Sequence, residues 1–181
     1  DKIIIGIAGR MTPGKGHEEF LEAARMLNEE FPEKLYFLVI GNASYGEEKY
    51  EAGIVNLSDC LGLKNIKFTG YTAEPERIMT VLDILSFPSH DESFGRVLLE
   101  AMALGIPTAA SGFAGVLDIT IAGETGLLFE PENAKSQAAA LSELIQNEEL
   151  RRKFSLNGKK RAEDVFTFDN MTDELINQYN K

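Results

Sequence analysis

The sequence predicts a doubly wound α/β domain: a six-stranded parallel sheet with helices on both faces and a helical C-terminal tail. Short apolar runs alternate with longer stretches of helical periodicity as far as Phe129. The first of those runs is nearly continuous in apolar character, as a strand covered on both faces is, and the fifth, over 108–111, is weaker. No repeat, low-complexity tract or Pro/Gly/Ser-rich linker interrupts the alternation, which argues for one parallel sheet. Right-handed crossovers then make it doubly wound and put a ligand outside the C-terminal ends of the strands.

Residues 3–9 are β-branched, end at glycine and form the expected central strand. Residues 17–31 place Phe20, Leu21, Ala24, Leu27 and Phe31 at helical spacing among five glutamates, and Pro32 stops that helix. A second strand is expected over 35–41, then a polar loop over 42–48 and a weaker helix to about Leu61. Residues 66–70 read as a short strand, 74–81 as a short helix and 84–88 as a fourth strand. A helix follows from near Phe94, then strands over 108–111 and 126–130. The tail is read as helices over 133–147, 148–165 and 169–179, anchored by Phe154, Val165, Phe166 and Phe168.

A chain of 181 residues with 44 % hydrophobic content suits one packed domain. A net charge of −11 argues against a sequence-independent hold on nucleic acid or on an acidic bilayer. No apolar run approaches the ~20 residues of a membrane span, and no signal-peptide pattern opens the chain. Cys60 is the only cysteine, which excludes an internal disulfide and a Cys/His zinc cluster and makes a cytoplasmic setting the expectation. Cys60 itself reads as a small, half-buried apolar residue. The methionines read as core filler, and His17 as a helix-start residue with local hydrogen bonds.

Two stretches carry chemistry. Gly9-Arg10-Met11-Thr12-Pro13-Gly14-Lys15-Gly16 has most of a Walker A loop, but Gly16 stands where a Ser or Thr would hold Mg²⁺, and Pro13 removes a phosphate-cradling amide. It also lacks the third glycine of a dinucleotide fingerprint. The second stretch runs from His90 to Gly105, a polar loop leading into a helix, with Glu92 in the loop and Glu100 in the helix. Between them the amides of residues 93–97 sit at the positive end of the helix dipole, an anion site flanked by two hydrogen-bond acceptors. That suits a sugar joined to a phosphate. A glycosidase pair of carboxylates would not require a helix N-terminus and two cations at the same edge.

Glu92-x7-Glu100 followed by Ala101-Met102-Ala103-x-Gly105-x-Pro107, together with Gly9-Arg10 and Lys15-Gly16, resembles the C-terminal half of GT-B glycosyltransferases of family GT4, the glycosyl transferases group 1. The resemblance runs from Ile3 to about Tyr179. It implies a Rossmann-like donor-binding domain in which Arg10 and Lys15 hold the nucleotide diphosphate, Glu92 accepts from donor-sugar hydroxyls and Glu100 from the ribose. The catalytic set it implies is Arg10, Lys15 and Glu92; Gly9, Tyr71, Ser93, Phe94, Gly95, Val97 and Glu100 complete the donor-binding set. Tyr71 either stacks on the base or packs, and the loop over 112–115 lies near the donor. His90 reads as incidental to the site, with a sugar or phosphate contact as the alternative.

The resemblance further implies a retaining, metal-independent transfer from a UDP-, GDP- or ADP-sugar, without a cofactor, to an acceptor hydroxyl on a sugar, lipid-linked or small molecule. GT-B enzymes place the active site between two such domains, so residues 1–181 are expected to be the donor half of a larger enzyme, inactive without its N-terminal acceptor domain. Association with the inner face of a membrane would be decided in that other half. A P-loop-like NTPase, a non-catalytic nucleotide-sugar-binding module and an epimerase or phosphorylase on the same fold are the alternatives, since fold does not fix function.

Overall fold

The computed structural model describes residues 2–167 and Asn170. Its strands are β1 (Ile3–Ala8), β2 (Leu35–Ile40), β3 (Ile66–Phe68), β4 (Ile84–Phe87), β5 (Thr108–Ser111) and β6 (Leu127–Phe129). They form one parallel sheet in the order β3-β2-β1-β4-β5-β6. The helices are α1 (His17–Glu30), α2 (Glu48–Cys60), α3 (Pro75–Met79), α4 (Arg96–Ala103), α5 (Val116–Ile119), α6 (Ala134–Gln146) and α7 (Glu148–Val165).

The pleat sends alternate side chains of each central strand to opposite faces, and both faces are apolar. Leu35, Phe37 and Val39 of β2 join Ile5 and Ile7 of β1 under α1 and α6, where Phe20 meets Phe37 edge to face at 6.0 Å. Leu38 and Ile40 point the other way, toward Met79 of α3 and Ala101 of α4. A third cluster seats Leu98 and Met102 of α4 against Phe87, Ala110 and Ala162 of α7. Asn147 separates α6 from α7: its side-chain oxygen accepts from the Leu150 amide at 2.9 Å, while its own amide donates to Glu143.

Several expectations are corrected. The helix α4 begins at Arg96 rather than near Phe94, because Gly95 at φ 78° is its N-cap. The four-residue helix α5 was not expected, being too short to show a period. Cys60 is exposed at the end of α2 rather than half buried. Val165 is 43 % exposed and so is not a buried anchor, whereas Phe154 is fully buried and Phe166 meets Phe94 edge to face at 6.1 Å. His17 is buried, with Nδ1 lacking a hydrogen-bond partner among the described residues, so it is a core residue rather than a local hydrogen-bonding one. Phe168 and the helix expected over 169–179 lie outside the described residues, except Asn170.

Candidate donor site

The strand order reverses between β1 and β4, and the crevice at such a switch point is where an open parallel sheet receives a ligand. Two loops meet there, residues 9–16 after β1 and residues 88–95 after β4. The Gly14 carbonyl ties them, accepting from the amides of His90 (3.0 Å) and Asp91 (3.3 Å) and from Ser89 Oγ (3.3 Å). Gly16 is left-handed at φ 75°, and a β-carbon there would stand 2.6 Å from the Pro88 carbonyl oxygen. The hydroxyl residue of a P-loop therefore has no room at this position.

Lys15 Nζ donates to Glu92 at 2.7 Å and to the Asp91 carbonyl at 3.2 Å, with the Lys15 and Glu92 side chains each 23 % exposed. Burial alone would push the Glu92 carboxyl up. The hydrogen bond and charge of Lys15, with the amides of Gly95 and Phe94, outweigh it and hold the group below its ordinary range. The Phe94 and Gly95 amides thus face the Glu92 carboxylate. The first-turn amides of α4 belong to Arg96 and Val97, since Leu98 already donates to Gly95.

A groove runs across these loops in two lobes that share Ala8, Gly9, Arg10 and Val97. One lobe, about 230 Å³, continues past Gly41, Asn42, Tyr71, Thr72 and Met79 to Glu100. The other, about 260 Å³, contains Lys15, Phe87, Glu92 and Arg96. Glu100 is exposed overall, and partial desolvation holds it above its ordinary range, opposed by the charge of Arg96 and assisted by that of Glu76. Tyr71 is 78 % exposed, so it is not a packed core residue, and it lines the first lobe.

The structure therefore brings Gly9, Arg10, Lys15, Tyr71, Glu92, Val97 and Glu100 to one groove, and sets Ser93, Phe94 and Gly95 at its α4 end without lining it. The loop over 112–115 lies against Ser93, where a β-carbon on Gly115 would strike the Ser93 carbonyl. His90 sits beside the site with Nε2 3.7 Å from Glu132. Asn42, Met79 and Arg96 line the groove without having been singled out in the sequence. Only Arg96 carries a signal that could have found it: a cation in the first turn of a helix works against the helix dipole. Among the described residues, no group of three or more His, Cys, Asp or Glu could hold a metal ion, and no helix is long and apolar enough to cross a membrane.

The model of the family described as glycosyl transferases group 1 matches residues 1–161. The chain belongs to that family. Among curated group 1 relatives, the capsular polysaccharide biosynthesis glycosyltransferase CapM of Staphylococcus aureus is 30 % identical over 99 % of this chain and 46 % of its own length. A D-inositol 3-phosphate glycosyltransferase of Rhodococcus jostii is 30 % identical over 97 % of this chain and 40 % of its own. The chain thus spans less than half the length of these relatives. Among solved structures, the C-terminal domain of the group 1 protein LpcC from Francisella tularensis has a TM-score of 0.83 at 31 % identity, covering 92 % of this chain and 87 % of that one. Anabaena HepE in complex with UDP and glucose has a TM-score of 0.88 at 24 % identity over 99 % of this chain and 48 % of its own, a likeness of fold alone. The architecture is accordingly that of a C-terminal domain of the GT-B glycosyltransferases.

Proposed function

We propose that residues 1–181 are the donor-binding half of a retaining, metal-independent glycosyltransferase that moves a sugar from a nucleoside diphosphate sugar to an acceptor hydroxyl. The observation that carries this reading is the Lys15–Glu92 pair at 2.7 Å beside the first turn of α4, at the sheet's switch point. An ammonium for phosphate and a carboxylate for hydroxyls, side by side, match a ligand in which a sugar is joined to a phosphate.

In this reading the base and ribose occupy the lobe of Tyr71 and Glu100, with Glu100 accepting from ribose hydroxyls and the exposed Tyr71 ring offering a stacking face. Arg10, at the junction of the lobes, and Lys15 hold the diphosphate, while Glu92 accepts from hydroxyls of the sugar. The sugar C1–O bond breaks with its electron pair left on the terminal phosphate oxygen. The acceptor oxygen bonds to C1 and its proton passes to the departing phosphate. The cations Arg10 and Lys15 and the first-turn amides of α4 stabilise the charge that develops, the task a metal ion performs elsewhere.

The relatives' greater length supports a second domain that would supply the acceptor site. The test is a transfer assay on residues 1–181 with UDP-, GDP- and ADP-glucose and a panel of sugar, lipid and small-molecule acceptors. No transfer is expected; robust transfer by this chain alone would contradict its assignment as one half of an active site.

A further inference from the structure

Lys15 and Glu92 neutralise one another at 2.7 Å, which leaves Arg10 as the only unmatched charge among the groups so far assigned to the diphosphate. A nucleoside diphosphate sugar carries a negative charge on each phosphate, and breaking the C1–O bond adds another to the terminal one. One net positive charge falls short of that. The same lobe holds a further cation. Arg96 is the first residue of α4, is exposed, lines the lobe beside Lys15 and Glu92, and makes no ion pair or side-chain hydrogen bond among the described residues.

Side chains at a helix start lean back toward its N-terminus, here toward the residue 93–95 turn and the groove. The position is also electrostatically adverse. A cation in the first turn opposes the macrodipole, and no acidic residue shares that turn; Glu100, four residues on, feels the Arg96 charge but makes no ion pair with it among the described residues. An anionic ligand at the α4 N-terminus removes that penalty, because it engages the guanidinium and the first-turn amides together.

Resting on the donor-site reading above, we infer that Arg96 is a further catalytic residue, a third cation that contacts the terminal phosphate and takes up the charge arriving there as the sugar departs.

The test is calorimetric titration of residues 1–181 with UDP, GDP and ADP and with the matching monophosphates, comparing the parent chain with Arg96→Gln, Arg96→Lys and Lys15→Ala. Circular dichroism confirms that each variant is folded. Arg96→Gln is expected to lower affinity for the bound diphosphate roughly tenfold, the worth of one charge-assisted hydrogen bond, with little change for the monophosphate. Arg96→Lys should recover most of the loss. An equal loss for both nucleotides, or none, overturns the assignment. Selective loss in Lys15→Ala but not in Arg96→Gln overturns it while leaving the donor-site reading in place. Absence of diphosphate binding by the parent chain, or of selective loss in either variant, overturns both. A parallel titration with UDP-glucuronate and UDP-glucose covers the other anion an arginine could meet. If Arg96→Gln erases only a preference for the uronate, Arg96 reads the sugar and the leaving-group role is overturned.

Discussion

Lys15 and Glu92, 77 positions apart in the chain, meet at 2.7 Å where the loops after β1 and β4 converge. The pair is partly exposed, so its contribution to folding is about 1 kcal/mol or less. Its sign with pH follows from the depressed carboxyl of Glu92: the contribution is fully present above the unfolded carboxylate range and is lost as pH falls through the folded one. Lys15→Ala is expected to leave the melting temperature near that of the parent chain at neutral pH. It should weaken nucleoside diphosphates far more than nucleosides, and calorimetry with both ligand classes checks this.

Glu100 lines the first lobe, whereas Lys15 and Glu92 line the second. Glu100→Ala should weaken nucleosides and nucleoside diphosphates by similar amounts, about 1–3 kcal/mol for a hydrogen bond to a charged group. A loss confined to diphosphates would place the ribose elsewhere.

Gly16 tests the distinction from a P-loop. Gly16→Ser completes the Walker A pattern, yet it places a side chain at φ 75° and against the Pro88 carbonyl. The expected result is a destabilisation of about 1–3 kcal/mol in urea denaturation and no Mg²⁺-dependent hydrolysis of ATP or GTP.

His17 gives the domain an acid sensitivity unrelated to the groove. Burial depresses its imidazole to about 4 from 6.5, with smaller effects from Glu18 and Lys15. Between those values the unfolded chain binds the proton more readily than the folded one, so stability falls as pH drops from about 6.5 toward 4. The loss reaches about 3 kcal/mol at full effect. His17→Phe should flatten that part of the stability–pH curve, measured by chemical denaturation across the range.

β1 and β2 were legible because each is a nearly continuous apolar run, and both faces of each are covered; β3, with Lys67, and β5, with Thr108 and Ser111, were legible from their place in the alternation with helices. Helix ends were legible where a residue type dictates them, as at Pro32 and Asn147, and not at Gly95, whose left-handed conformation moves the start of α4 past Phe94. The groove residues Arg10, Lys15, Glu92 and Glu100 were legible as a set through the resemblance of their motifs to the family, since Glu92 or Glu100 taken singly reads as an ordinary surface acid. Asn42 and Met79 were not, because nothing local distinguishes a groove-lining Met or Asn from a core or turn residue until the topology sets β1, β2 and α3 around one crevice. His17 misled for a related reason: a polar residue at a helix start normally faces water, but here α1 is preceded by a loop pinned against Pro88 and its first residue is turned inward.

The most direct test of the donor-half account is calorimetric titration of residues 1–181 with UDP, GDP and ADP, with and without Mg²⁺, followed by the matching nucleotide sugars and by Lys15→Ala. The account predicts that one diphosphate binds equally well with and without Mg²⁺ and that Lys15→Ala abolishes or sharply weakens the binding. Binding only of a nucleoside triphosphate, and only with Mg²⁺, would contradict it.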